Sequence, residues 1–284
     1  AGEVLDGRNR GIPIVGSVEE VLAGKFAGGD GTRPEFAIIG VATSGGVLPP
    51  DMRADVLAMV RAGVSLVNGL HQLMSEDAEI AAAAGESGAE LIDLRKPRPA
   101  KELHFWRGEI VNLATPRVAV LGTDCAIGKR TTTWLLREEC RRRGVRTEMI
   151  YTGQTGWLQG IEHGFILDST MNDFVSGELE RAIMTCAEAK RPELMLIEGQ
   201  SALRNPSGSC GAELRLSGRA QGVVLQHAPG REYFEDLEEK GCLVPPLAEE
   251  VELVRLYGSE VWAVCLSEHE LEGDEVLAIR ERLA

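Results

Sequence analysis

The stretch RVAVLGTDCAIGKRTTT, residues 117–133, decides the fold of this chain. Arg117 to Leu121 is a short apolar run of the kind buried in a parallel sheet, and Thr131 to Arg143 supplies a helix that Gly144 can end. Between them Gly122 and Gly128 bracket five residues and Lys129 follows, giving G-x-x-x-x-x-G-K, one residue longer than the G-x-x-x-x-G-K phosphate-loop pattern, with Thr131 one place later than the usual Ser or Thr. Backbone N–H groups of such a loop and of the first helical turn converge on phosphate oxygens, and the helix dipole and the lysine add positive charge. Gly122, Thr123, Asp124, Cys125, Ala126, Ile127, Gly128, Lys129, Arg130 and Thr131 are therefore expected to cradle a phosphorylated ligand. The plainer alternative is a strand-to-helix turn whose glycines serve only geometry; the order strand, loop, helix favours the cradle. Arg130 departs from the pattern and leaves open whether Thr131 or Thr132 would face a metal.

Outward from this stretch, the 284 residues are 44% hydrophobic, enough for one large core or two smaller ones. Mean hydropathy is -0.07. No apolar run approaches the length needed to span a bilayer, and the N-terminus lacks a basic-then-apolar signal, so a cytoplasmic protein without membrane contact is expected. The opening AGEVLDGRNR has no Met, as in a chain that begins inside a longer product or after a removed tag. Net charge is -14, and residues 232–252 hold eight acidic side chains against Lys240 alone, a surface that repels nucleic acid. Arg137, Arg141, Arg142, Arg143 and Arg146 form a basic cluster that reads as a solvated helix C-terminus rather than a ligand patch. Six cysteines without a C-x-x-C pair suit a reducing compartment and argue against structural zinc.

Two α/β halves follow from the periodicity. Ser17 to Glu20 has capping-box spacing, and Gly28 to Pro34 is a glycine-rich turn. Strands at 36–40, 64–68 and 90–94 alternate with helices after Pro50 and from Ser75 to Ala84, the pattern of a parallel sheet. The proline-bearing run RKPRPAKELHFWRG then marks a boundary, giving an N-terminal Rossmann-like domain over 1–105 and a C-terminal P-loop NTPase-like α/β domain over 106–284. The second half continues with strands at 147–151, 193–197, 222–226 and 260–266 and helices near 171–190, 247–257 and 269–283. His163 falls in an expected hairpin, and His104 and His269 read as surface residues.

Ligands of open parallel sheets bind beyond the carboxyl ends of the strands, so the strand-end loops supply the candidates. They hold Ser44, Gly45 and Gly46; His71; Arg95; Gln154 and Thr155; Gln200, Ser201 and Arg204; and His227 and Arg231. Glu198 ends the apolar run LMLIE, where P-loop proteins place an acid that organises metal or water; its plainer role is a strand-end or capping carboxylate. With Asp124 and Thr131 it could hold Mg²⁺ beside phosphates. His71 and Glu198 are the candidate general bases, with Asp124 as a further catalytic carboxylate.

GTDCAIGKRT with the later IEGQ resembles the corresponding pair in dethiobiotin synthetases, which implies ATP, Mg²⁺ and phosphoryl transfer. VATSGGVLPP, NGLHQLMSED, AELIDLRKP, GTDCAIGKRTT, YTGQTG, Asp173-Phe174, IEGQSALRNPSG and LQHAPGREYF occur in the order found in a two-domain P-loop family, and nearly the whole chain resembles it. That family includes the DgcN-type D-glutamate N-acetyltransferases; Arg130 and EGQSALRNPSG depart from its GKM and EGQGSL forms. The resemblance implies an enzyme that grips the pyrophosphate of acetyl-CoA with residues 122–131. A base then frees the amine of an acidic amino acid, whose carboxylates call for Arg95, Arg204 or Arg231. Three readings stand: acetyl transfer from acetyl-CoA, ATP-dependent ligase or kinase chemistry with Mg²⁺, and a non-catalytic nucleotide sensor. A homo-oligomer is expected.

Overall fold

The computed structural model describes residues 13–24, 33–268, 271 and 273–283. The expected turn at 28–34 falls largely outside them, as does His269. The chain divides into two units, Ala1–Lys96 and Pro97–Ala284.

The first unit is a parallel three-stranded sheet in the order β1 (Phe36–Ile39), β2 (Ser65–Asn68), β3 (Leu91–Asp93). Helix α1 (Val18–Leu22) precedes it, and the Ser17 hydroxyl accepts from the Glu20 N–H, as the capping-box spacing predicts. Helices α2 (Arg53–Arg61) and α3 (Ala78–Ser87) are the two crossovers. Val56, Leu57 and Val60 of α2 meet Ile80, Ala83 and Ala84 of α3 and the strand residues Ile39 and Leu66 in a single core. The second crossover starts three residues later than the sequence suggests, because the Asp77 carboxylate accepts from the N–H groups of Glu79 and Ile80 and fixes the first turn there.

The second unit is a six-stranded, all-parallel sheet. Its strands are β4 (Arg117–Gly122), β5 (Thr147–Tyr151), β6 (His163–Gly164), β7 (Leu194–Glu198), β8 (Gly222–His227) and β9 (Glu260–Leu266), in the order β6-β5-β7-β4-β8-β9. Strand β4 is central and buried along its length, and its side chains alternate between two layers. Val118 and Val120 pack with Leu196, Val224 and Leu136 of α4 (Lys129–Arg142). Ala119 and Leu121 face the larger core formed with α6 (Asn172–Lys190) and α8 (Leu247–Leu256). Helices on both faces explain why the strands read as unbroken apolar runs rather than alternating ones. Shorter helices α5 (Gln154–Leu158) and α7 (Ala212–Leu216) and the terminal α9 (Gly273–Leu283) complete the unit. His163 lies on a short strand parallel to β5, with Ile150 opposite it, so the expected hairpin there is corrected to an added sheet edge.

The proline-bearing run after Pro97 is held against α6 by two buried carboxylates. Glu178 accepts from the His104 N–H at 3.0 Å and also meets the Arg98 and Arg181 side chains; Glu180 accepts from the N–H groups of Arg107 and Ile110. Gly177 permits the approach, since a Cβ there would stand 1.9 Å from the His104 carbonyl oxygen. His104 is exposed, as expected, yet its ring Nδ1 contacts Glu178. The basic cluster is spent on pairs along α4 and its exit: Arg142 and Arg143 with Glu139, Arg141 with Glu148, Arg146 with Glu193. None of the helices is long and apolar enough to cross a membrane, among the described residues.

Candidate functional site

The loop from Thr123 to Gly128 joins β4 to α4, and its backbone is bent at two residues, Ala126 at φ 52° and Gly128 at φ 101°. Gly122 is bare because Lys129 crosses it: a Cβ there would meet the lysine Cδ at 2.9 Å. Lys129 is almost wholly buried and its ammonium donates to the Asp124 carbonyl; burial pushes its pKa down, opposed by the charges of Cys125, Asp124, Cys210 and Glu198. Thr133 donates back to the Lys129 carbonyl at 2.8 Å and Thr132 donates to Gln226 Oε1 at 2.7 Å. Thr131 is exposed. Among the described residues Arg130 makes no ion pair or hydrogen bond, although its charge is felt at Glu198.

Asp124 is the buried post of the loop. Oδ1 accepts from Asn205 Nδ2 at 3.1 Å, and Oδ2 accepts from Arg231 Nη1 at 2.9 Å and from the Glu235 N–H at 2.8 Å. Arg231 also donates to the Cys125 carbonyl and pairs with Glu235 at 2.6 Å. The carboxylate thus ties the cradle to the segments that follow β7 and β8, and the Arg231 charge is balanced inside the protein. Arg204 is likewise engaged, by Glu249 and Glu250 of α8.

Glu198 closes β7 beside β4, with Val120 opposite it, and is buried. Its Oε2 accepts from the Thr152 N–H at 3.1 Å, while the Thr152 hydroxyl donates to the Glu198 carbonyl and accepts from Gln200 Nε2. Desolvation raises the carboxyl pKa to about 7, outweighing the Thr152 and Gly153 N–H groups and the charges of Arg130 and Lys129. Gly156 in α5 lets that helix lie close, since a Cβ would come within 3.0 Å of Glu198 Oε2. Gln154 and Thr155 occupy the first turn of α5, half-buried.

Next to the loop, Cys125 Sγ donates to Ser201 Oγ at 3.3 Å and lies 3.7 Å from Asn205 Nδ2; Ser201 sits at φ 38°, a conformation that favours glycine. His227, at the end of β8, holds Thr123 Oγ1 with Nδ1 at 3.0 Å, and burial depresses its pKa. In the second unit the fold thus gathers Lys129, Arg130, Asp124, Glu198, Gln200, Ser201, His227 and Arg231 at one end of the sheet. Asn205 and Thr152 were not expected there: their roles depend on neighbours that sequence spacing does not reveal.

In the first unit the strand-end loops also converge. Gly45 and Gly46 have φ of 71° and 63°, and a Cβ on Gly46 would stand 2.5 Å from the His71 ring, so the loop after β1 rests on His71. Asn68 donates to Asp93 and to the Gln72 carbonyl; Gln72 accepts from the Leu48 N–H, and its own N–H donates to the Gly46 carbonyl. Asp93 also accepts from the N–H groups of Met74 and Ser75. Burial works to raise the Asp93 pKa, but these hydrogen bonds prevail and lower it. His71 is exposed, and the Arg95 guanidinium donates to the Gly69 carbonyl. Ser44 begins the turn that carries both glycines.

Residues 104–284 match the model of the DUF1611 C-terminal P-loop domain, a domain of unknown function, and residues 1–97 match that of the DUF1611 N-terminal Rossmann-like domain. The chain belongs to the DUF1611 family. A crystal structure of a DUF1611 family protein from Anabaena variabilis superimposes on this DUF1611 chain with a TM-score of 0.83 at 29% identity, covering 99% of this chain and 79% of that one. The chain is 30% identical over 75% of its length to a D-glutamate N-acetyltransferase of Tritonibacter scottomollicae, and 28% identical over 70% to one of a Pseudoalteromonas species. It spans 61% and 58% of the length of those two relatives.

Proposed function

We propose that this DUF1611 chain is an amino-acid N-acyltransferase, moving an acetyl group from acetyl-CoA to the amino group of D-glutamate or a similar acidic amino acid. The observation that carries the reading is Glu198: a buried carboxyl at the end of β7, raised to about 7, next to a phosphate cradle. Such a group is half ionised near neutrality and can take and return a proton, which amine acylation requires.

In this reading the loop from Gly122 to Thr131 grips the pyrophosphate of coenzyme A, which carries a phosphorylated ADP, without cleaving it. Glu198 takes a proton from the ammonium of the acceptor. The freed amine nitrogen attacks the thioester carbonyl, the C–S bond breaks, the departing thiolate takes the proton held by Glu198, and the new amide nitrogen sheds its remaining extra proton to solvent. Thr152 and Gly153 hold the carboxylate in place through their N–H groups. The curated relatives named D-glutamate N-acetyltransferase support the acceptor class.

Purified protein given acetyl-CoA and D-glutamate should release free thiol, with a rate that rises as pH passes through about 7, because the ionised form of Glu198 is the base. Hydrolysis of ATP without thiol release would replace this reading with ligase or kinase chemistry.

A further inference from the structure

A P-loop that works on a nucleoside triphosphate holds Mg²⁺ with the hydroxyl that follows its lysine, and an acid from a neighbouring strand completes the set. The strand acid is present as Glu198, whose Oε2 accepts from the Thr152 N–H, but the hydroxyl is not. Arg130 occupies the position of the hydroxyl. Thr131, about 100° further around the helix, is exposed. Thr132 is committed to Gln226 and Thr133 to the Lys129 carbonyl. The nearest loop carboxylate, Asp124, accepts from Asn205, Arg231 and the Glu235 N–H and is buried beneath them. Among the described residues no group of three or more His, Cys, Asp or Glu side chains is placed to hold a metal ion.

What the cradle has instead is a second cation. Arg130 sits in the first turn of α4, directly after Lys129, with no side-chain ion pair or hydrogen bond among the described residues, its charge felt at Glu198. A guanidinium presents a planar fork of donors suited to phosphate oxygens, and its charge does not titrate in the physiological range. We infer that the cradle binds a pyrophosphate diester without a divalent cation, Arg130 supplying the positive charge that Mg²⁺ supplies in nucleotide-cleaving P-loops. A pyrophosphate diester bears one negative charge per phosphorus, which Lys129 and Arg130 match one for one. A nucleoside triphosphate carries more, and without metal it would remain unbalanced. Coenzyme A belongs to the first class and ATP to the second, so Arg130 is a specificity-determining residue. The inference rests on the pyrophosphate part of the acyltransferase reading and is independent of the acceptor.

Calorimetric titration of the whole chain with coenzyme A and with ADP, in EDTA and in MgCl₂, tests this. Coenzyme A should bind with the same affinity within about twofold in both buffers, and R130T should weaken it in EDTA by roughly tenfold or more. Arg130→Lys should recover part of that loss, and circular dichroism melting of both variants checks that they fold. A tenfold weakening of wild-type binding in EDTA would overturn the inference, as would R130T binding like wild type, or a failure of coenzyme A to bind whether or not ADP does. Metal-independent binding of coenzyme A with no thiol release would leave this inference standing and remove the acyltransferase reading.

Discussion

The strand ends of the two units both belong to parallel sheets crossed by helices and are put to different use. In the first, Asn68, Gln72 and Asp93 spend their polar atoms on backbone groups, and burial of the Asp93 carboxylate is outweighed by the hydrogen bonds it accepts, so its pKa falls. In the second, burial wins at Glu198, whose carboxyl is pushed toward its neutral form. A carboxylate whose donors outweigh its burial fixes loops, whereas one whose burial outweighs its donors can exchange a proton.

The strongest way to break this comparison is Glu198→Gln, which should lower thiol release by ~10²–10⁴-fold. The same substitution should stabilise the fold at alkaline pH. Glu198 has a native pKa of about 7 against an ordinary 4.5, so its contribution is fully present below 4.5 and is lost as pH rises to 7. Removing the charge should therefore raise stability at pH 8 by at most ~3 kcal/mol, read as a shifted urea midpoint. If His71→Asn, rather than Glu198→Gln, abolished the rise in rate near pH 7, the contrast between the units would be reversed.

Lys129→Ala should weaken coenzyme A binding at least about a hundredfold in calorimetry. Asp124→Ala should cost ~3 kcal/mol in urea unfolding, since it leaves Arg231 and Asn205 short of a buried partner. Smaller again, Gly46→Ala should cost ~1–3 kcal/mol by the same measurement, through a strained φ and the contact with His71. At the end of the series, Glu139→Gln should leave the melting temperature unchanged. Arg142 and Arg143 draw its pKa down to about 2, but all three side chains are in water and the pairs are screened.

Much of this was legible in the chain. The apolar run of β4, the glycines around the loop and Lys129 announce a P-loop, because each residue there is needed for a local reason. Glu198 was legible as a strand-end acid. Three other candidates show where sequence reasoning stops. Asp124 reads as a metal-organising carboxylate, yet its partners Asn205 and Arg231 lie 81 and 107 residues away. Arg231 and Arg204 read as grips for an acidic substrate, yet each is engaged by glutamates of the protein itself.

The sequence by itself determined the two parallel sheets, the phosphate loop and the order of the strand-end motifs, since periodicity, glycine placement and capping are local properties. Only the tertiary structure decided which charges are free and which are spent. Burial and pairing depend on distant neighbours: Asp124 is a structural post because Asn205, Arg231 and the Glu235 N–H hold it, and Glu198 is a poised acid because its burial outweighs the Thr152 and Gly153 N–H groups it accepts from.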